Sequence, residues 1–169
     1  DKADEREQRM AARARAAGLP LLYAHLVGGQ DEVVFDGASF ALDAAGTVRM
    51  RAPSFDEALA FVEIDGTTLR GEVHELPGLE AQAWAALVTG VRDYLGKNGF
   101  PGAIIGLSGG VDSALVLALA VDALGADRVR TVMMPSPYTA DISWIDARDM
   151  ALRLGVRYDE IPIAPLFDA

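Results

Sequence analysis

The stretch Gly-Leu-Ser-Gly-Gly-Val-Asp-Ser runs from Gly106 to Ser113, and together with the segments on either side it predicts the fold. A short apolar run, 103–105, precedes it, and the almost wholly apolar stretch 114–124 follows. An apolar strand, a glycine-rich turn and a helix, in this order, aim backbone N–H groups at an anion. Gly109 and Gly110 permit strained turns and close approach to a ligand. The sequence therefore predicts an anion-binding loop between a strand and a helix.

Three polar side chains in the same stretch add ligand chemistry. Ser108 and Ser113 supply hydroxyl donors, and Asp112 supplies a carboxylate where a phosphate would bring its magnesium ion. The Lys-Ser/Thr pair of the common phosphate loop is missing, and Asp112-Ser113 stands in its place. A purely structural turn with a capping serine does not need all these groups together, so ligand binding is favoured over that alternative.

Composition excludes several classes of protein. The chain has 169 residues, of which 51% are hydrophobic and 24% charged, as in soluble globular domains. A net charge of −10 argues against general nucleic-acid binding. Without cysteine, these residues contain no disulfide, thiolate metal site or cysteine nucleophile. The charged start and the short apolar runs predict neither a signal peptide nor a membrane span, and we expect a soluble cytoplasmic protein.

The first part of the chain predicts a helix followed by a β-rich meander. Alanine-rich residues 3–17 favour a helix, whose small apolar side should pack closely on a flat surface. Residues 21–27 predict one buried strand, which Gly28-Gly29 and the polar residues after it interrupt. Turn signals then separate further short strand candidates, at 33–35, 39–42, 48–51 and 59–64.

The second part predicts strands alternating with helices. Residues 66–78 have mixed charge and little periodicity, and are interpreted as a linker. Helices are expected from 79 to about 95, at 112–124 and at 141–154, with strands at 102–107, 128–134 and 156–161. This alternation predicts a doubly wound parallel sheet, with ligands at the carboxyl ends of its strands. The Gly106–Ser113 turn falls at such an end.

Several segments resemble one family. Ser108–Ser113 resembles the pyrophosphate-binding loop of the N-type ATP pyrophosphatases, and 132–139 with 141–154 resembles the second βα unit of NAD synthetase. Tyr23 to Gly37 is similar to the late part of a nitrilase-type glutaminase domain, which precedes the synthetase domain in glutamine-dependent NAD synthetases. The resemblance implies an α/β fold in two pieces. Residues 1–65 would end a nitrilase-like α/β sandwich, 66–78 would be the linker, and 79–169 would begin an adenine nucleotide α hydrolase-like domain.

The resemblance also implies a ligase reaction. The full-length enzyme would amidate deamido-NAD to NAD+ through an acyl-adenylate, using ATP, Mg2+ and ammonia released from glutamine upstream. It implies a homo-oligomer and neither a nucleic-acid nor a membrane partner. ATP and pyrophosphate would bind the loop, with Mg2+ on Asp112, and the adenine and ribose would lie near Met133, Met134 and Ser136. The loop residues are Gly106, Leu107, Ser108, Gly109, Gly110, Val111, Asp112 and Ser113.

The same resemblance places the glutaminase cysteine, glutamate and lysine upstream, so no catalytic residue is assigned here and the isolated piece is expected to be inactive. Lys2 stands where the family has a lysine or arginine that contacts glutamine; a solvated surface lysine is the alternative. His25 stands where the family usually has asparagine, and a histidine satisfied within the core is favoured over a catalytic one. For Gln30–Glu32, a structural turn is favoured over an acid–base pair.

Three other functions are compatible with parts of the sequence. Another N-type ATP pyrophosphatase, such as GMP synthetase or a tRNA-modifying enzyme, would account for the loop without a nitrilase-like segment before it. A non-catalytic nucleotide-binding fragment would have the loop without turnover. A carbon–nitrogen hydrolase would follow from the first half alone and leaves the Gly106–Ser113 loop unexplained.

Overall fold

The computed structural model describes residues 2–167, and side chains from 3 to 165. The chain divides into two units, 1–90 and 91–169. The first contains α1 (Lys2–Ala17), β1 (Leu21–Tyr23), β2 (Val27–Gln30), β3 (Val33–Asp36), β4 (Phe40–Leu42), β5 (Val48–Arg51), β6 (Val62–Asp65) and β7 (Thr68–Gly71). Helix α2 (Leu79–Lys97) begins in the first unit and ends in the second. The second continues with β8 (Ala103–Gly106), α3 (Val111–Leu124), a 3-10 turn (Ala126–Arg128), β9 (Val129–Met133), α4 (Asp141–Arg153), β10 (Arg157–Glu160) and α5 (Ala164–Phe167).

Helix α1 packs on an antiparallel sheet whose strand order is β1-β4-β5. Ala11 and Ala14 form a core with Phe40 and Leu42, and both of these large side chains are almost fully buried. Small alanine side chains let the helix approach the sheet closely, so the predicted close packing of this helix on a flat surface is confirmed.

The opposite face of this sheet is covered by the β6–β7 hairpin. Leu69 on β7 is 3% exposed and belongs to a core with Ala41 and Met50. Residues 66–78 were expected to be a linker of little regular structure, and within them 68–71 form a strand. The reason is burial: one leucine at the right position in a short hairpin supplies an apolar contact that a composition-based interpretation does not register.

The predicted single strand over 21–27 is also wrong, because β1 ends at Tyr23 and β2 begins at Val27. Gly28 and Gly29, expected to interrupt the strand, are buried within β2 and pair with β3. The turn lies instead at Asp31, whose backbone takes a left-handed φ of 52°. The strand expected at 59–64 starts only at Val62.

An ion pair joins α1, β5 and the segment after β7. The Arg51 guanidinium donates to both Glu7 carboxylate oxygens, at 2.6 and 2.8 Å, and to the His74 carbonyl at 2.8 Å. The side chains of Arg51 and Glu7 are only 14% and 16% exposed. Removing one partner of such a pair leaves the other charge unpaired in a poorly solvated environment.

We predict that Arg51→Gln lowers the free energy of local opening of α1 by about 2 kcal/mol, because Glu7 then loses its bidentate partner. Hydrogen exchange of the α1 amides in the full-length protein measures this change. Arg49→Gln on the same strand is the control, since the Arg49 side chain is 49% exposed in its pair with Asp43, and such pairs contribute at most about 1 kcal/mol. Equal exchange in the two variants would contradict the role given to Arg51.

The second unit has a parallel sheet of order β10-β9-β8. Helix α3 connects β8 to β9, and α4 connects β9 to β10, so the predicted alternation and the parallel sheet are confirmed. Thr131, fully buried on the central strand, donates its hydroxyl to the Arg157 carbonyl at 2.9 Å. Within residues 2–167, no helix combines the length and apolar character that crossing a membrane requires.

Candidate functional site

The Gly106–Ser113 stretch forms one turn at the carboxyl end of β8. Strand β8 ends at Gly106, and α3 begins at Val111. Between them, Leu107 is 2% exposed, and its N–H donates to the Val132 carbonyl at 3.0 Å. This bond fastens the start of the turn to β9, so the rest of the turn stands at the sheet edge where ligands bind in parallel α/β sheets.

The two serines of the turn are hydrogen-bonded to each other and to the backbone. The Ser113 hydroxyl donates to the Gly110 carbonyl at 2.9 Å and accepts the Ser108 N–H at 3.2 Å. The Ser108 and Ser113 hydroxyl oxygens are 3.0 Å apart, and the Gly110 N–H donates to the Ser108 oxygen at 3.3 Å. Both hydroxyls, expected as ligand donors, thus have partners inside the turn.

The N-terminus of α3 is open. Its first backbone bond runs from Ala114 to the Gly110 carbonyl at 3.1 Å, so the N–H groups of Val111, Asp112 and Ser113 precede the helical bonds. Gly110 is the N-cap, and no side chain in the described chain caps this end. The capping serine of the purely structural alternative is therefore absent, and Asp112 is an exposed acidic residue in the first turn of α3. Uncapped N–H groups and the helix dipole together attract an anion.

Gly109 is in contact with the first turn of α4. Its φ is +80°, and a Cβ at this position would lie 2.3 Å from the Ser143 carbonyl oxygen and 2.7 Å from its Cα. No side chain fits at such distances, and the contacting atoms are backbone that cannot rotate away. Only glycine therefore allows the turn and α4 to approach this closely.

A cavity of about 520 Å³ opens beside the turn. Its walls come from the ends of β8 and β9 and from the segment leading into α4: Gly106, Leu107, Ser108, Val132, Met133, Met134, Tyr138, Thr139, Ala140 and Ser143. Met134 is half exposed, and its methyl carbon lies 3.4 Å from the Cβ position of Gly106. The volume falls within the range of small-molecule sites.

Of the residues expected beside an adenine and ribose, Met133 and Met134 line this cavity. Ser136 is absent from the described lining and braces the neighbouring turn instead. Its N–H donates to the Thr139 hydroxyl at 2.9 Å, and its hydroxyl accepts the Tyr138 N–H at 3.2 Å. Tyr138, Thr139 and Ser143 also line the cavity and were not expected there from the sequence. Their position just after the carboxyl end of β9 could have indicated their place at the site, because adjacent parallel strands end at the same edge of the sheet.

Helix α4, which backs the turn, is tied to β10 by Arg148. Its guanidinium donates to Glu160 at 2.7 Å and lies 5.9 Å from the centre of the Tyr158 ring. This hydrogen bond holds the pKa of Glu160 below its usual value, while burial raises the pKa of Tyr158. The charged pair therefore persists at neutral pH and holds α4 in register with the sheet.

The other candidate residues lie in the first unit. The His25 side chain is 15% exposed, and its ring contacts Tyr23 and Phe35. Its backbone N–H donates to the Ser39 hydroxyl, and its Nε2 lies 3.7 Å from an Asp36 carboxylate oxygen. These contacts support the interpretation as a satisfied core histidine. Gln30 ends β2 and pairs with Val33, and Asp31 and Glu32 form the exposed β2–β3 turn, which supports a structural turn for 30–32. The Lys2 side chain lies outside the described residues.

Asp112, in the first turn of α3, is the expected carboxylate ligand of a magnesium ion at this site. Among residues 2–167, no group of three or more His, Cys, Asp or Glu side chains is placed to hold a metal ion. Asp112, exposed beside the open helix end, fits a cation that takes its other ligands from phosphates and water. The donor set thus fits Mg2+ brought by a nucleotide and does not fit an all-protein cage.

A glycine-rich turn at a parallel strand end, an open helix N-terminus and an adjoining cavity are together typical of α/β domains that bind nucleotide phosphates. Residues 83–169, more than half of the chain, match the family model described as NAD synthase. The chain belongs to the NAD synthase family.

The similarity extends over both units. The glutamine-dependent NAD(+) synthetase of Rhodobacter capsulatus is 47% identical over 167 residues, covering 96% of this chain and 30% of the relative. That of Synechocystis sp. is 44% identical, covering 95% and 30%. The structure of glutamine-dependent NAD+ synthetase from Acinetobacter baumannii, in complex with adenosine diphosphate, matches with a TM-score of 0.92 and 43% identity over 99% of this chain and 32% of that one. The expected resemblance is confirmed, and the chain spans about 30% of the length of these curated relatives.

Proposed function

We propose that this chain is part of an enzyme that amidates deamido-NAD to NAD+ with ATP, using ammonia from glutamine. The observation that carries the proposal is the open N-terminus of α3 beside the 520 Å³ cavity. It occurs in a chain that is similar over nearly its whole length to glutamine-dependent NAD synthetases. The relative from Acinetobacter baumannii was solved in complex with adenosine diphosphate, and we assign an adenine nucleotide to the cavity beside the Gly106–Ser113 turn.

The reaction has two balanced steps. The nicotinic acid carboxylate of deamido-NAD attacks the α-phosphorus of ATP, so that an acyl-adenylate forms and pyrophosphate leaves. Ammonia then attacks the acyl carbon, giving the amide and AMP. Neither step requires a covalent bond to the protein, so catalysis consists of orienting the reactants and stabilising charge on the leaving group.

The Gly106–Ser113 turn performs that task. The N–H groups of Val111 and Asp112 lie at the uncapped start of α3 and, with the positive end of the α3 dipole, would bind the pyrophosphate. Asp112 would hold Mg2+, which neutralises charge on the departing phosphates. Met133, Met134 and Tyr138 line the cavity where the adenine and ribose would lie. The deamido-NAD site is not assigned to residues of this chain.

We further propose the domain assignment that the resemblance implies. Residues 1–65 belong to the end of a nitrilase-like glutaminase domain, and β7 of the following segment packs on its sheet through Leu69. Residues 79–169 begin the synthetase domain, with the 66–78 segment as the connection between the two. Lys2 is a proposed glutamine contact, and the full-length enzyme a cytoplasmic homo-oligomer. With no cysteine present, the nucleophile for glutamine hydrolysis must come from elsewhere in the enzyme.

The test is product stoichiometry in the full-length protein. We predict that deamido-NAD, ATP, Mg2+ and glutamine yield NAD+, AMP and pyrophosphate in equal amounts. Xanthosine monophosphate in place of deamido-NAD serves as the control for a GMP synthetase and should give no product. ADP and phosphate as products would contradict adenylation, and ATP binding without pyrophosphate release in any mixture would favour a non-catalytic nucleotide-binding protein.

A further inference from the structure

We propose that Arg51 is a positioning residue that anchors the connection between the two proposed domains, and that this anchor keeps glutamine hydrolysis matched to NAD+ formation. The inference rests on the proposed function, because it concerns how the reaction that releases ammonia and the reaction that uses it stay in step. In this role Arg51 contacts no substrate and acts through the segment that follows β7.

The Arg51 side chain binds two segments at once. Its Nε and one terminal nitrogen donate to the Glu7 carboxylate of α1, at 2.6 and 2.8 Å, and its other terminal nitrogen donates to the His74 carbonyl at 2.8 Å. The side chains of Arg51 and Glu7 are 14% and 16% exposed, so water competes little for these bonds. A planar guanidinium holds its donors in a fixed fork, so the pair with Glu7 sets the direction in which the third donor points.

The backbone of Arg51 binds the same segment. Its N–H donates to the Glu72 carbonyl at 2.9 Å, and its carbonyl accepts the His74 N–H at 3.1 Å. These two bonds form an isolated parallel bridge between Arg51 and Val73, beyond the end of β7. Because a hydrogen bond from a charged donor is about twice as strong as a neutral one, the side-chain bond to His74 is the strongest of the three.

The anchor shortens the connection to the next domain. Strand β7 ends at Gly71, and α2, with which the proposed synthetase domain begins, starts at Leu79. With the chain fixed at His74, only 75–78 remain before α2 and can span about 14 Å, whereas 72–78 can span about 25 Å. A shorter connection confines the following domain to a smaller volume, which raises the effective concentration of one site at the other. Ammonia released in one domain is then used in the other before it escapes.

The test measures how much glutamine the full-length protein hydrolyses for each NAD+ that it forms. Arg51→Met keeps an unbranched side chain but has no N–H to donate. This variant is expected to consume at least about twofold more glutamine per NAD+ than the original protein. Exchange of the His74 amide hydrogen should become about tenfold faster, because the charged bond beside it is lost. A merely structural defect lowers both rates together and leaves their ratio unchanged.

A double variant separates the connection from α1. Arg51→Met alone leaves the Glu7 carboxylate unpaired, and adding Glu7→Gln removes that charge, so exchange of the α1 amides should return to within about threefold of the original rate. The glutamine consumed per NAD+ should stay raised, because the bond to the His74 carbonyl is still missing. If this ratio returns to the original value, disturbance of α1 explains the effect and the proposal is wrong. Should Arg51→Met fail to fold, the double variant carries the test by itself.

Arg49→Met on the same strand is the matched control. Arg49 pairs with Asp43 and its side chain is 49% exposed, so this variant should change neither the ratio nor the exchange of the His74 amide. An unchanged ratio in Arg51→Met would also overturn the proposal. An original protein that forms no NAD+ from glutamine contradicts the proposed function instead, so the two failures are distinguishable.

Discussion

Asp112→Ala in the full-length protein is expected to lower the rate of ATP-dependent NAD+ formation about 10³-fold at saturating substrates. Asp112 lies exposed in the first turn of α3. No cluster of three or more metal-ligating side chains is found in the part of the chain that the structure describes. Replacing Asp112 by alanine removes the carboxylate that would hold Mg2+ against the leaving pyrophosphate. In comparable sites, loss of a charge-stabilising group lowers the rate about 10²–10³-fold. The measurement is kcat as a function of magnesium concentration.

The fold should survive this change. An acidic residue in the first turn of a helix contributes about 0.3–1 kcal/mol through the dipole, so the melting temperature should fall by only a few degrees. Asp127→Ala is the matched control, because Asp127 is an exposed acid just beyond the other end of α3 and its removal changes the net charge equally. Undiminished activity of Asp112→Ala at saturating magnesium would rule out the metal role.

Gly109→Ala is expected to weaken Mg-ATP binding by at least about 100-fold and to destabilise the second unit. A Cβ here would be 2.3 Å from the Ser143 carbonyl oxygen, so either the turn or α4 must move, and the N–H groups of the turn move with it. The left-handed φ of +80° adds about 1–2 kcal/mol for any residue with a side chain. Calorimetry with Mg-ATP measures the affinity, and thermal unfolding measures the stability.

Gly125→Ala separates the two causes. Gly125 has a similar φ of +84°, but nothing lies within 4 Å of its Cβ position. Because its ψ is 150°, Gly125 lies in a backbone region that is essentially restricted to glycine, so this variant should show only a conformational cost of about 1–3 kcal/mol, with Mg-ATP affinity unchanged. If Gly109→Ala matches it in both measurements, then the close contact between the turn and α4 does not control nucleotide binding.

The second unit was predictable because each of its elements carries its own signal. Helices expected at 112–124 and 141–154 are observed as Val111–Leu124 and Asp141–Arg153. Strands expected at 128–134 and 156–161 are observed as Val129–Met133 and Arg157–Glu160. Glycine or proline residues separate these helices from the strands beside them: Gly110 and Gly125 flank α3, and Pro137 and Gly155 flank α4, so the sequence marks where each element ends.

The first unit was less predictable because its strands are three or four residues long and depend on their partners. Leu69 lies in a segment of mixed charge, and only packing against Ala41 and Met50 makes it part of a core. Considered alone, Gly28 and Gly29 predict a break in the strand. They nevertheless form part of β2, because they pair with Phe35 and Val34. In such short strands, pairing across the sheet overrides local propensity.

The sequence by itself determined that a glycine-rich turn with Asp112 joins a strand to a helix, because composition and spacing along the chain are sufficient for that. Only the tertiary structure decided what the turn contacts. It places Gly109 against Ser143, brings Tyr138 to the cavity, and directs both serine hydroxyls into the turn. The physical reason is that parallel strands bring distant segments to one edge, whereas hydroxyl direction depends on which acceptor the folded backbone presents.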